Sequence, residues 1–158
     1  MIVPIKGLYE AHLEAHLTVR DLDRSIAFYQ DVLGLPLAHI VKNRNVAFFW
    51  VPAPETAMLG LWGVGSAPMG MKLHIAFNVA LEDVERSADR LKAAGLTPTK
   101  NGEEPIDEPV VLSWMPAASV YFDDPDGHSL EFISMLPEEP RPIPSFLPLS
   151  EWRAGAGL

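Results

Sequence analysis

The sequence predicts an α+β fold made of two modules, each with the order strand, helix, strand, strand, strand. That order occurs over about residues 11–64 and again over residues 73–136. The glycines predicted to end the two helices, Gly34 and Gly95, lie sixty-one residues apart, so the two copies have nearly the same internal spacing. A chain of 158 residues with 48% apolar and 21% charged residues has the size and composition of one globular domain.

The first module begins with a strand over residues 11–20, in which apolar and polar residues partly alternate. Asp21 is placed to cap a helix, and Gly34 is placed to end it. Between them, apolar side chains recur at helical spacing, at Leu22, Ile26, Tyr29 and Leu33. Short turn-forming segments then separate three predicted strands, over residues 37–41, 46–51 and 58–64.

The second module repeats this order with a longer connection. The pattern predicts a strand, a helix and the start of another strand, over residues 73–80, 82–94 and 96–100. Residues 101–116 contain three Pro and one Gly, which predicts a loop with at most a short strand near residues 110–114. A turn over residues 124–127 joins the last two predicted strands, over residues 119–122 and 129–135.

A Pro-rich segment follows the second module. Residues 137–148 contain five Pro, which predicts an extended arm without regular structure that packs on the body or on a neighbouring subunit. We therefore expect one domain over residues 1–136 and a Pro-rich C-terminal extension over residues 137–158.

Charge and composition exclude several classes of function. Twelve Lys and Arg against twenty-one Asp and Glu give a net charge of −9, and residues 101–140 hold ten of the acids without one base. An acidic chain without a basic stripe predicts no binding to nucleic acid or to an anionic membrane surface. The absence of Cys excludes disulfides, thiolate ligands and iron–sulfur clusters. No segment is long and apolar enough to cross a bilayer, and we expect a cytoplasmic protein.

Three polar residues stand out in the predicted strands. A shift of sixty residues places Glu14 on His74, so these side chains occupy equivalent positions in the first strands of the two modules. Glu131 lies between Leu130 and Phe132 in the last strand, and a carboxylate buried there needs a cation or several hydrogen-bond donors. Each residue alone also fits a structural role, as an exposed carboxylate, a core histidine and an Arg-paired carboxylate.

Several segments resemble the vicinal oxygen chelate superfamily. They are EAHLTVRDLDRSIAFY at residues 14–29 with LGL at residues 33–35, HIAF at residues 74–77, and DPDGHSLEF at residues 124–132. That superfamily includes glyoxalase I, fosfomycin-resistance proteins, extradiol dioxygenases and bleomycin-binding proteins. The resemblance implies two βαβββ modules whose eight strands form an incompletely closed barrel around a metal cavity.

The resemblance also implies one divalent metal ion, bound by residues from the first and last strands of the modules. Carried over by position, the ligands are Glu14, His74 and Glu131. One imidazole and two carboxylates suit Fe, Mn, Zn, Ni or Co, and the sequence does not distinguish among these metals.

His16 is the candidate catalytic residue. It lies two residues after Glu14 and therefore on the same strand face, which His12 shares. Three roles stay open for it: a metal ligand, a pocket residue that transfers a proton or orients Glu14, and a structural residue. As a ligand in place of Glu14, it would complete the two-histidine, one-carboxylate triad of extradiol dioxygenases, formed by His16, His74 and Glu131. Proton transfer would then fall to His12, His39 or Tyr121.

Other candidates receive less specific interpretations. His128 lies inside the predicted turn before the last strand and is interpreted as structural. Five aromatic side chains fit either an apolar pocket or the core: Phe48, Trp50, Trp62, Phe77 and Trp114.

The first module lacks the carboxylate that glyoxalase I takes from the last strand of its first module. Residues 56–81 contain no Asp or Glu, which predicts little or no glyoxalase I activity. Fosfomycin transfer is not expected either, because the sequence offers no clear cationic site for a phosphonate and the 101–116 loop is acidic.

We therefore predict a metal-dependent enzyme acting on a small organic substrate that chelates the metal through oxygen. Lyase, isomerase and ring-cleaving dioxygenase chemistry all fit this description. The alternative is a non-catalytic drug-binding protein of the bleomycin-resistance type, in which the acidic surface would attract a cationic drug. By analogy with the superfamily, we expect a homodimer.

Overall fold

The structure is a computed structural model that describes residues 14–54, 56–64 and 72–155. The chain divides into two compact units, residues 1–71 and residues 72–158. Each unit contains one β-sheet and its own helices. The beginning of the predicted first strand, including His12, lies outside the described residues.

In its described residues, the first unit has four strands. They are β1 (Glu14–Val19), β2 (Leu37–Val41), β3 (Val46–Val51) and β4 (Ala57–Gly63), in the sheet order β1-β4-β3-β2. β1 runs parallel to β4, and the other neighbours are antiparallel. Helix α1 (Leu22–Ala27) continues into a π-helical turn (Phe28–Val32), and a 3₁₀ turn (Lys42–Arg44) joins β2 to β3.

Local sequence determines where the helical segment of the first unit begins and ends. The Asp21 side chain accepts a hydrogen bond from the Arg24 backbone N–H at 3.0 Å, which confirms the predicted N-cap. Gly34 follows the segment with a φ of 69°, a conformation that glycine adopts without strain. The segment is held on the sheet by Tyr29, which is fully buried and packs against Phe49 with ring centroids 6.0 Å apart.

The described part of the second unit has seven strands and two helices. Its strands are β5 (His74–Asn78), β6 (Thr99–Lys100), β7 (Glu104–Pro105), β8 (Val110–Leu112), β9 (Ala117–Asp123), β10 (Ser129–Met135) and β11 (Leu147–Pro148). The sheet order is β11-β8-β9-β10-β5, with β6 beside β9 and β7 beside β6. The helices are α2 (Leu81–Ala93) and α3 (Leu149–Arg153). No described helix of either unit has the length and apolar character needed to cross a membrane.

Both units repeat one topology, which confirms the predicted α+β fold. In each unit the first strand runs parallel to the last strand of the predicted repeat, which is β4 or β10, and is followed by a helix. The register places Glu14 opposite Met58 and His74 opposite Ser129. Two residues further along the last strand, Gly60 and Glu131 therefore occupy equivalent positions in the two units. The closing of the two sheets into one incomplete barrel around a metal cavity stays a prediction.

The second strand of the repeat is interrupted in the second unit. Ser119 pairs with Val110, but Tyr121, two residues further along β9, pairs with Thr99. Residues 101–109 therefore connect β6 to β8 and carry the short strand β7, which among the described strands pairs only with β6. The short strand predicted near residues 110–114 is β8, but the expectation of at most one strand in residues 101–116 was wrong, because β7 pairs with β6 there.

The C-terminal extension packs on the second unit. β11 pairs with β8, and Trp152 of α3 is fully buried. The Arg141 guanidinium lies 3.7 Å from the centroid of the Trp152 ring and donates to the Trp152 carbonyl oxygen at 2.8 Å. The expectation that residues 137–148 lack regular structure was wrong for Leu147–Pro148, because an edge strand tolerates proline.

Candidate metal centre

Glu131 is a buried carboxylate in the interior of a sheet. It is the third residue of β10, lies between β5 and β9, and is 3% exposed. Its Oε2 lies 3.2 Å from His74 Nε2. Its Oε1 is buried and has no hydrogen-bond partner among the residues that the structure describes. Burial of a carboxylate in this state is strongly unfavourable unless a positive charge compensates it.

The turn before β10 fixes the position of Glu131. The Asp124 side chain accepts hydrogen bonds from the backbone N–H groups of Asp126 at 2.9 Å and His128 at 2.8 Å. The His128 ring is 1% exposed, and its Nδ1 accepts a hydrogen bond from the Leu73 backbone N–H at 3.0 Å. His128 thus ties the turn to the residue that precedes β5, which is the structural role expected for it.

Hydrogen bonding sets the tautomer of His74. Nδ1 lies 3.0 Å from the Ser129 carbonyl oxygen. Because a carbonyl oxygen only accepts hydrogen bonds, this contact assigns a proton to Nδ1. In the neutral ring, Nε2 then presents its lone pair toward the Glu131 carboxylate. Metal-binding histidines have the same arrangement, with the second ring nitrogen donating to a carbonyl or carboxylate.

The contact between His74 and Glu131 therefore requires a proton or a metal ion between the two groups. Two lone pairs 3.2 Å apart repel each other unless a proton or a metal ion lies with them. A second proton on His74 would satisfy Oε2 of Glu131 but would leave Oε1 without a partner among the described residues. A bound cation would compensate the charge of the whole carboxylate.

Tyr121 lies against this pair from β9. It is opposite Glu131 in the register, and its ring stacks on the His74 ring with centroids 5.9 Å apart. Burial, followed by the negative charge of Glu131, raises the pKa of the Tyr121 phenol far above its usual value of about 10. The phenol is therefore protonated at neutral pH, and a hydrogen bond with the Glu131 carboxylate contributes to the raised pKa. Phe146 of the extension packs edge-on against Tyr121, with centroids 6.2 Å apart.

The first unit holds a second histidine–carboxylate pair, on β1. His16 Nε2 lies 3.3 Å from Glu14 Oε1, and both side chains are partly exposed. The Trp62 indole N–H donates to His16 Nδ1 at 2.6 Å. Because an indole nitrogen only donates, Nδ1 is the acceptor, and the neutral His16 ring carries its proton on Nε2, toward Glu14. His16 and His74 therefore have opposite tautomers.

Gly60 makes room for the His16 ring. The two residues are opposite each other on β4 and β1. A Cβ atom on Gly60 would lie 2.4 Å from His16 Nδ1 and 3.2 Å from the Phe48 ring, so any larger residue there would displace His16. The equivalent position in the second unit is Glu131. The first unit thus carries its carboxylate on the first strand, and the second unit carries its carboxylate on the last strand.

Comparison with known proteins agrees with this repeated architecture. Residues 11–132 match the family model of the Glyoxalase/Bleomycin resistance protein/Dioxygenase superfamily. The chain belongs to this superfamily. It is 32% identical over 130 residues to a lactoylglutathione lyase of Haemophilus influenzae, which covers 77% of this chain and 90% of the relative. It is 30% identical over 126 residues to the metallothiol transferase FosB of Lysinibacillus sphaericus, which covers 73% of this chain and 75% of the relative.

A solved structure shares the superfamily fold. The integron cassette protein HFX_CASS4, from the mobile metagenome of the Halifax Harbour sewage outfall, matches with a TM-score of 0.67 and 29% sequence identity. The match covers 83% of this chain and 100% of the other chain. The superfamily resemblance of the sequence is therefore confirmed at the levels of sequence and fold.

The ligands expected from the superfamily are brought together in part. His74 contacts Glu131 in the second unit, and Glu14 contacts His16 in the first. Within either unit, the described residues do not bring three His, Asp or Glu side chains together as a ligand group. The set of Glu14, His74 and Glu131 therefore stays a prediction.

Two other candidates can be placed on the sheets. His39 is exposed and lies opposite Phe48, which in turn lies opposite Gly60, so its side chain is on the same face as His16. Trp114 is 67% exposed and is not a core residue.

The sequence analysis missed the roles of Trp62 and Gly60 beside His16. Alternation along β4 does place Gly60 and Trp62 on one strand face. Only the register of β1 on β4 shows that His16 lies on that same face, and a single sequence does not specify register between distant segments. The Ser129 contact of His74 was missed because its acceptor is a backbone carbonyl, which has no sequence signal.

Proposed function

We propose that this protein is a divalent-metal-dependent enzyme acting on a small organic substrate that chelates the metal through two oxygen atoms. The observation that carries the proposal is the pair of His74 and Glu131. An imidazole lone pair faces a buried carboxylate, and the second oxygen of that carboxylate has no partner among the described residues. The names of two relatives, a lyase and a metallothiol transferase, agree with this class of chemistry.

The donor set fits a first-row divalent ion. We assign the ligands as Glu14, His74 and Glu131, and this combination suits Fe, Mn, Zn, Ni or Co. A bound ion supplies Lewis-acid polarisation of substrate oxygens. In the chain itself, the Ser129 carbonyl holds the His74 tautomer, and the protonated Tyr121 phenol lies against both the His74 ring and the Glu131 carboxylate.

Lyase or isomerase chemistry is favoured over ring-cleaving dioxygenase chemistry. The dioxygenase triad needs His16 as a ligand. In the observed hydrogen bonding, however, Nδ1 of His16 accepts from Trp62 and Nε2 faces Glu14 with its proton, so neither nitrogen offers a lone pair to a metal. Glu14 is therefore the ligand that we assign to the first unit.

Methylglyoxal with glutathione is not the proposed substrate, although the lactoylglutathione lyase of H. influenzae is a relative. Gly60 offers no carboxylate at the position equivalent to Glu131, and residues 56–81 contain no Asp or Glu. We expect kcat/KM for this pair of substrates to lie below about 10⁴ M⁻¹s⁻¹, the low end for effective enzymes. A steady-state assay with the metal-loaded protein checks this, and a higher value would show that a fourth ligand from β4 is not needed.

A drug-binding module without chemistry is the alternative function. The ten acids of residues 101–140, with Glu103 and Glu104 exposed, would attract a cationic ligand. Binding of bleomycin, as the cationic probe, separates the two functions, and Glu131→Gln shows whether that binding needs the metal site. A drug-binding module binds bleomycin tightly in the wild type and with unchanged affinity in Glu131→Gln, whereas the proposed enzyme binds it tightly in neither.

Homodimeric assembly, which the superfamily resemblance implies, belongs to the same proposal. Sedimentation velocity tests it, with a species of twice the monomer mass of 17.4 kDa as the expected result. A single monomeric species at all concentrations would contradict it.

Elemental analysis of protein purified without chelator or added metal tests the proposal as a whole. We expect about one divalent ion per chain, and we expect added Mn, Fe, Ni or Zn to raise the melting temperature of chelator-treated protein, because an ion that binds only the folded state stabilises it. Absence of both effects would overturn the proposed function.

A further inference from the structure

We propose that Trp62 is a positioning residue that fixes the tautomer of His16 and, through it, the direction of the Glu14 carboxylate. The effect on metal affinity rests on the proposed function, in which Glu14 is a ligand. The fixing of the tautomer rests on the contacts of the first unit alone.

The hydrogen bond from Trp62 defines the state of the His16 ring. It joins Nε1 of the indole to Nδ1 of the imidazole at 2.6 Å. The indole nitrogen has a proton and no lone pair available for hydrogen bonding, so it cannot exchange roles with His16. Of the two neutral tautomers of His16, only the one with its proton on Nε2 satisfies this contact.

The proton on Nε2 is then directed at Glu14. Nε2 lies 3.3 Å from Glu14 Oε1, so one oxygen of the carboxylate is engaged by the ring and the other is left for a ligand role. The Glu14 side chain is 37% exposed and the His16 side chain is 42% exposed. An exposed ion pair is weak, and its side chains are mobile unless neighbouring groups restrain them. The hydrogen bond from Trp62 to His16 is therefore what restricts the direction of the Glu14 side chain.

Other groups hold both rings in place. His16 makes edge contacts with Trp62 and Phe48, with ring centroids 5.6 Å and 6.1 Å away. The Arg44 guanidinium lies 4.8 Å from the centroid of the Trp62 ring, and this is the ring that donates the hydrogen bond to His16. The arrangement therefore extends from the 3₁₀ turn through Trp62 and His16 to Glu14.

Gly60 is the residue that permits the arrangement. Position 60 has no side chain, and the His16 ring occupies the space that a Cβ atom would need. In the second unit, the equivalent Glu131 carries its carboxylate into that space, and His74 presents a lone pair to it. The first unit therefore has the His16 ring, hydrogen-bonded to Trp62, where the second unit has the carboxylate of Glu131.

Long-range ¹H–¹⁵N NMR of the histidine rings tests the tautomer directly. The metal-free protein is measured at pH 8.5, about two units above the usual histidine pKa of about 6.5, and His16→Gln assigns the His16 signals. We expect His16 to be protonated on Nε2 in the wild type. Trp62→Phe keeps the ring but removes the donor, so His16 should then show a mixture of tautomers. Trp114→Phe, at an exposed site of the second unit, is the matched control and should leave His16 unchanged.

Metal affinity is the second readout. Mn²⁺ titrations should show a 10- to 100-fold weaker affinity for Trp62→Phe, the usual loss when the partner that orients a ligand is removed, and no change for Trp114→Phe. Gly60→Ala, which pushes the His16 ring away by another route, should also shift the tautomer. Circular dichroism confirms that each variant is folded.

The outcomes distinguish the two proposals. A wild-type His16 protonated on Nδ1, or an unchanged tautomer in folded Trp62→Phe, would overturn the role of Trp62. A shifted tautomer with unchanged Mn²⁺ affinity would overturn its effect on Glu14. A wild type with the expected tautomer but no affinity for any divalent ion would overturn the proposed function and leave the fixing of His16 by Trp62 supported.

Discussion

Glu131 and Glu14 are two carboxylates with one proposed role and opposite environments. Glu131 is 3% exposed, whereas the side chain of Glu14 is 37% exposed. In the buried position the fold must accommodate a charge that water no longer solvates. In the exposed position the charge is hydrated, and a neighbouring ring must restrict its direction. At the scale of single residues, the proposed ligands therefore differ, because one is a buried anion and the other is an exposed anion beside a histidine ring.

Replacement of Glu131 by Gln should stabilise the metal-free protein. The amide has the shape of the carboxylate, carries no charge, and can donate a hydrogen bond to the Nε2 lone pair of His74. We expect the melting temperature of chelator-treated protein at pH 8 to rise by roughly 2–4 °C, equivalent to about 1 kcal/mol for a chain of this size. Differential scanning calorimetry measures it.

The exposed Glu103 supplies the control for this prediction, because Glu103→Gln should leave the melting temperature nearly unchanged. A lower melting temperature for Glu131→Gln would mean that the carboxylate serves the fold as the partner of a protonated His74, and the argument for a cation would lose its basis.

At the scale of elements, the pairing of β1 with β4 couples His16 to Gly60. Gly60→Ala in the wild type forces the His16 ring to move and should cost about 1–3 kcal/mol, as overpacking does. In a His16→Ala background the space is open, and the same change should be neutral or stabilising because alanine suits a strand better than glycine. Urea denaturation of the four proteins gives the coupling energy. Additivity within about 0.5 kcal/mol would show that the two positions are independent.

The C-terminal extension reaches the candidate site through one strained residue. Phe146 has a φ of 67°, which a bulky side chain rarely adopts, and its N–H donates to the Val111 carbonyl oxygen at 2.7 Å. This conformation accompanies the contact of its ring with Tyr121, which stacks on His74. The strain, of order 1–3 kcal/mol, is therefore stored beside the candidate ligands.

Substitutions at Phe146 should reverse the usual order of alanine and glycine. Both Phe146→Ala and Phe146→Gly lose the ring contact with Tyr121, but only glycine relieves the backbone strain. We expect the glycine variant to melt at the higher temperature. If the alanine variant is the more stable one, the left-handed conformation of this residue carries no strain.

At the scale of the whole molecule, the features that depend on residues close together in the sequence could be predicted. The Asp21 cap, the glycine at position 34 and the turn over residues 124–127 depend on local chemistry, and each is present. The internal repeat predicted the topology of both units, because equal spacing reflects equal connections. The burial of Glu131 followed from its apolar neighbours in the strand.

Features that depend on contacts between distant segments could not be predicted. The pairing of Thr99 with Tyr121, which separates β6 from β8 along the chain, depends on register across a long connection. The burial of Trp152 depends on where the extension packs on the second unit, and that packing includes the pairing of β11 with β8. The five Pro of residues 137–148 gave no pattern that predicts a strand there. The tautomers of His16 and His74 depend on one indole and one carbonyl that the sequence does not place.

The concentration of acids in residues 101–140 contributes little to the proposed site. Of these ten acids, Glu131 is proposed as a ligand and Asp124 builds the turn that precedes it. Asp107 pairs with Lys92 on the surface, where the hydrogen bond and charge of that lysine lower the pKa of the carboxyl. Overall acidity is therefore a poor guide to function here, and the proposed function depends on a few residues at fixed positions.

Isothermal titration of Mn²⁺ into chelator-treated protein tests the central claim most directly. The experiment compares the wild type with His74→Gln, Glu131→Gln and, as the control on the exposed side of α2, Asp89→Asn. We predict one ion per chain in the wild type and in Asp89→Asn, with a loss of at least 100-fold in affinity for the other two variants. Equal affinity in the wild type and in Glu131→Gln, or no binding by the wild type, would contradict the claim that His74 and Glu131 form a metal site.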